Sequence, residues 1–123
     1  MFDSIKQKTM NKKFLISSVL AVATLISISL FWDDYVVAMS LLVVIGFFMI
    51  LNERTVSAVF LYAAIFVLGL LVEVIAIHFG AWSYTIPQFI GISAWLPFAW
   101  GNAALFIQDT NEFIVSRWKK ARG

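Results

Sequence analysis

The chain has no cysteine, which excludes disulfides, thiolate metal sites and lipoprotein acylation at a cysteine. It has one histidine and two prolines, and only 13% of its 123 residues are charged. A soluble domain carries about a quarter charged residues and is roughly half apolar. Here 62% of residues are hydrophobic, more than a chain of this length can hide in a core of its own. Lipid is therefore the better solvent. No nucleophile triad, phosphate-binding glycine loop, metal-ligand cluster or nucleic-acid signature is present, so no cofactor, metal or nucleic-acid partner is expected. No repeat, linker or low-complexity segment divides the chain, which reads as one domain.

What is present is a series of long apolar runs. Residues 14–32, FLISSVLAVATLISISLFW, contain no charge and come close to the ~30 Å of a hydrocarbon core at 1.5 Å per residue. Ala21-Val22-Ala23 imitates a signal-peptide cleavage site, but the apolar run continues beyond it, so the segment reads as an anchor. Ser17, Ala21, Thr24 and Ile28, with Ser27 beside them, form one face of small and hydroxylated residues that lets another helix approach closely. Asp33 and Asp34 mark a turn, 35–51 a second span, and 52–55 a second turn. A third span runs over 56–80. The segment 81–91 holds Trp82, Tyr84 and Pro87 and reads as an interfacial loop. A fourth span over 92–108 contains Pro97, which predicts a kink near 93–97. The predicted fold is thus an all-α, polytopic four-transmembrane-helix bundle over 14–108. A basic arm (1–13) precedes it, and a tail (109–123) with a short surface helix around Phe113–Trp118 follows.

All nine Lys and Arg residues lie in the arm, the second turn or the tail. The first and third turns carry none. The positive-inside rule then predicts N-in/C-in in a cytoplasmic (inner) cell membrane, the lysines meeting anionic lipid.

The chemistry concentrates in residues 73–102. Glu73 is an acid inside a span, where ionisable groups are costly and mark function. If the third and fourth helices pack antiparallel, the Asn102 amide or an indole N–H of Trp95 or Trp100 comes within reach of the Glu73 carboxyl. His78 is about 140° around the helix from Glu73, so the two do not form a dyad or a metal site. Glu73 is the candidate catalytic acid. Tyr84, Trp82, Trp95, Trp100, Asn102 and His78 are candidate ligand-binding residues, with Trp82 and Tyr84 also readable as an interfacial aromatic belt.

The run of an acid in a span, then Gly80-Ala81-Trp82-Ser83-Tyr84, then a span with Trp95-Leu96-Pro97 and Trp100, resembles two groups of membrane proteins. One is the integral membrane hydratases and cyclases of carotenoid biosynthesis. The other is a family of short bacterial membrane proteins of uncharacterised function. The resemblance implies that Glu73 matches the acid of the motif and Tyr84 its aromatic end. It implies binding or acid-catalysed processing of an apolar, isoprenoid-type lipid near Glu73. Two other classes fit the residues: a proton-coupled small transporter acting as a homodimer, and an accessory or assembly subunit docking through the small-residue face of the first helix.

Overall fold

The computed structural model describes residues 2–122. Four helices follow in order: α1 (Phe2–Phe31), α2 (Tyr35–Glu53), α3 (Val56–His78) and α4 (Leu96–Arg122). Among the described residues no strand forms, and the one β pairing is an isolated bridge between Phe89 and Ile92. The first three helices are each long and apolar enough to cross a membrane. Their outward faces carry exposed Val19, Leu25, Val44, Phe47, Phe60, Val67 and Leu71. A soluble monomer rarely shows contiguous apolar surface on this scale.

Local chemistry sets the turns. The Asp34 side chain caps α2 by accepting from the Val37 N–H, and Thr55 caps α3 by accepting from the Ala58 N–H, both at 3.3 Å. Arg54 takes a left-handed conformation (φ 59°) and closes α2 with its N–H on the Ile50 carbonyl. α3 ends where Gly80 turns left-handed (φ 78°) and the Ala81 N–H bonds back to the Ala76 carbonyl, a Schellman-type stop.

The helices depart from the sequence expectation at their ends. The basic arm is not separate, because α1 runs unbroken from residue 2 through the lysines. The third helix stops at His78 rather than at residue 80, since Gly80 takes the C-terminal turn. Residues 92–95 are not helical, and Pro97 sits at the second position of α4. Its missing N–H would be unpaired there anyway, so the proline starts the helix instead of kinking it. The tail forms no separate surface helix; residues 113–118 belong to one continuous α4.

α4 is the least apolar of the four and the most enclosed. It packs against α1, α2 and α3, whereas α2 approaches α3 only briefly and the α1 and α3 backbones do not come close. Its buried residues are Leu96, Pro97, Gly101, Asn102, Ala104, Leu105 and Asp109. Two glycine contacts set its distance from the neighbours. The Tyr62 ring lies where a Cβ on Gly101 would stand, 2.5 Å from its Cζ, and the Trp100 ring covers Gly69 of α3 in the same way. α1 turns Ser17, Thr24 and Ser27 inward, so the small hydroxylated face is the packing face. Thr24 and Ser27 each bond a carbonyl of their own helix.

Replacing Gly101 with alanine drives a methyl into the Tyr62 ring. It should lower bundle stability by about 1–3 kcal/mol, read as a lower thermal midpoint in nanodiscs, while the same change at the uncrowded Gly80 acts only through its positive φ.

Candidate functional site

Glu73 stands five residues before the end of α3, about 7–8 Å along the helix from His78. It is buried. Its partners come from the loop after α3, not from a neighbouring helix. Trp82 Nε1–H donates to Glu73 Oε2 at 2.8 Å, and Tyr84 O–H donates to the same oxygen at 3.0 Å. The tight stop at Gly80 turns the chain back, which returns Trp82 and Tyr84 over the end of α3. The loop is then held in place by its own bonds. The Gln88 side chain accepts from the Ala94 N–H at 2.8 Å, and Phe89 and Ile92 exchange backbone bonds of 3.1 and 2.9 Å around Ile90-Gly91. Both of those turn residues have positive φ, the hand suited to a two-residue hairpin.

No cation pairs with Glu73 among the described residues; the ion pairs all lie at the other end of the bundle. The carboxyl is held by neutral donors. Both serve Oε2, and Oε1 receives none. It is also not among the sealed, unpartnered oxygens of the molecule.

Because the α1 and α3 backbones stay apart, a groove of about 380 Å³ runs between them with α4 as its floor. Ala21, Thr24, Leu25 and Ile28 form one wall, Glu73 stands in the other, and α4 supplies the stretch from Leu96 to Phe106, including Trp100 and Ala103. That stretch measures about 15 Å along the helix. The lining is almost wholly apolar. Leu25 and Ala103 line the groove and are also exposed on the outer surface, so it opens sideways.

The structure therefore brings together Glu73, Trp82 and Tyr84 by hydrogen bonds, and Glu73, Trp100 and Asn102 along one groove. The Asn102 amide does not reach Glu73. Its Nδ2 donates to Thr24 Oγ1 and to the Leu42 carbonyl, each at 3.2 Å, joining α1, α2 and α4. The indole on Glu73 is that of Trp82, and neither Trp95 nor Trp100 supplies it. Trp95 packs in the core and donates to the Trp32 carbonyl at 3.4 Å, tying the start of α4 to the α1–α2 turn. His78 is exposed, stacks edge-on against Phe79 and takes no part in the groove. Sequence reasoning passed over Tyr62, which fits against Gly101 and donates to the Phe98 carbonyl at 3.4 Å. It also passed over Gly69, one turn before Glu73, whose lack of a side chain admits Trp100. Small residues a turn from an intramembrane acid were the available signal.

No protein-family model, curated protein or solved structure matches this chain.

If Trp82 and Tyr84 act through Glu73, their removal should couple to it. Trp82→Phe and Tyr84→Phe should each destabilise the protein by about 1–2 kcal/mol in the native background, and by much less alongside Glu73→Ala. A double-mutant cycle on thermal or denaturant unfolding reads this coupling, and strictly additive losses would contradict it.

Proposed function

We propose that this is a multi-pass membrane protein whose α1–α3 groove binds an apolar, isoprenoid-type chain alongside Glu73. The observation that carries the reading is the combination of an apolar groove open on its side with a single carboxyl in its wall. A groove reached from the lipid phase and lined this way suits an apolar chain better than a hydrated cation, which would find one carboxyl and no other charged group. A cationic-substrate transporter is therefore the weaker reading.

The carboxyl geometry supports acid chemistry as the enzymatic version. With Trp82 and Tyr84 both donating to Oε2, a proton on Glu73 resides on Oε1, the oxygen left to the groove. Transfer of that proton to an alkene carbon generates a carbocation. Return of a neighbouring proton to the carboxylate completes an isomerisation or cyclisation with no co-reactant, and the acid is restored. Trp100 lines the same groove, and its ring face can stabilise the passing positive charge.

In this reading α4 crosses with the other three, and the protein lies N-in/C-in in a cytoplasmic-type membrane. The lysines of α1 and of the end of α4 then face anionic lipid. The Glu73 end lies in the outer half, with Phe79, Trp82, Phe89 and Ile90, all exposed, in the headgroup region.

The binding test uses protein in nanodiscs and a fluorescent polyene. Saturable binding should be lost in Ala103→Trp, which fills the groove and leaves Glu73 in place. Any turned-over product should vanish in Glu73→Gln while binding persists. Binding unchanged by Ala103→Trp would overturn the reading.

The absence of native cysteine makes orientation directly measurable. Single cysteines at Ser83 and Asp33 should react with a membrane-impermeant maleimide added to intact cells or spheroplasts. Cysteines at Lys8 and Lys120 should react only after lysis.

A further inference from the structure

The end of the bundle where the chain begins and ends carries a second ionisable centre, remote from Glu73. Lys13 of α1 reaches inward between α2 and α4. Its Nζ lies 2.7 Å from Glu53 Oε2, 3.1 Å from Glu112 Oε2 and 3.5 Å from Asp109 Oδ1. The Asn52 side chain donates to the Lys13 carbonyl at 3.0 Å and fixes the helix at this level. Glu112 is partly exposed, but the Glu53 and Asp109 side chains are each only 2% exposed. Among the described residues no other cation compensates them here. Lys12 and Arg54 are exposed, and α3 contributes no charged residue at this end.

Two buried carboxylates therefore share one ammonium. Ionised, each offers only acceptors. Both carboxylates lie within 3.5 Å of the same Lys13 Nζ, and burial, then the neighbouring Asp109, push the pKa of the Glu53 carboxyl up to about 7. Even so, Glu53 Oε1 and both oxygens of Asp109 are buried with no hydrogen-bond donor. A buried charge left without a partner is among the costliest features a fold can carry. A single proton held by the two carboxyls removes one charge, gives an orphaned oxygen a donor, and leaves Lys13 to balance one buried carboxylate and the more exposed Glu112.

We infer that Glu53 and Asp109 share one proton and, with Lys13, form a proton-binding site that joins α1, α2 and α4 at this level of the bundle. Release of that proton leaves two facing carboxylates on one lysine, so deprotonation loosens the three helices at this end. The site is independent of the groove reading, since none of its residues lines the groove.

The test is carboxyl infrared difference spectroscopy across a pH titration of the full chain in nanodiscs. Wild type, Glu53→Gln, Asp109→Asn and Glu73→Gln are compared. A protonated-carboxyl band should be present at neutral pH in wild type and in Glu73→Gln, and be lost in both Glu53→Gln and Asp109→Asn. An amide at either position supplies permanently the donor that the proton supplies. The wild-type thermal midpoint should therefore fall from mildly acidic to mildly alkaline pH, and the Asp109→Asn midpoint should hold nearly level. A neutral-pH spectrum in which neither substitution removes a protonated band would overturn the proposal. So would a thermal midpoint with the same pH slope in wild type and variants. Either variant alone suffices if the other fails to assemble.

Discussion

The Glu73 carboxyl has its donors on a loop, and the loop end of the bundle is built to deliver them. A helix cannot easily supply two side-chain donors to one oxygen of a neighbour's carboxyl, because its side chains project at fixed angles. The stop at Gly80 reverses the chain, and within a few residues Trp82 and Tyr84 converge on Oε2. The Ile90-Gly91 hairpin and the Gln88–Ala94 bond then hold the loop closed. The acid is thus stabilised by parts that begin only after its own helix has ended.

α4 answers a different constraint. A helix with buried Asn102 and Asp109 is poorly suited to face lipid and well suited to be surrounded by protein. Asn102 finds Thr24 and the Leu42 carbonyl, and Asp109 finds Lys13. Gly101 and Gly69 allow the close approach that brings those partners into range. The same enclosure separates α1 from α3 and leaves the groove between them, so the cavity follows from the polarity of the helix that floors it.

Much of this was legible in the residues. The apolar runs mark the helices, the polar interruptions at 33–34 and 52–55 mark the turns, and the small face of α1 announces a packing surface. Glu73, Trp82 and Tyr84 stood out by type. Their mutual bonds did not, because they depend on how the loop folds back, and a loop with no periodicity carries no geometric signal. Antiparallel packing and helical spacing put Asn102 within reach of Glu73, but its rotation on α4 points it at Thr24. Pro97 was read as a kink because its position relative to the helix start depends on where α4 begins. Lys13, Glu53 and Asp109 were hidden for a related reason. Each looks like an ordinary charge flanking an apolar run, and only the packing of α1, α2 and α4 at this level makes them one site.

The contact pattern also bears on the order in which the molecule can be made. Synthesis delivers α1 and α2 first, and these pack on each other. α3 emerges with little to bind, since it approaches α2 only briefly and its backbone does not come close to that of α1. Its partner, α4, is made after it. Until α4 is in place, Gly69 has no Trp100 to cover it, and Asp109 is absent from beside Lys13. Assembly therefore waits on α4, and a chain interrupted before it would leave a paired α1–α2 hairpin and a solitary, unclaimed α3.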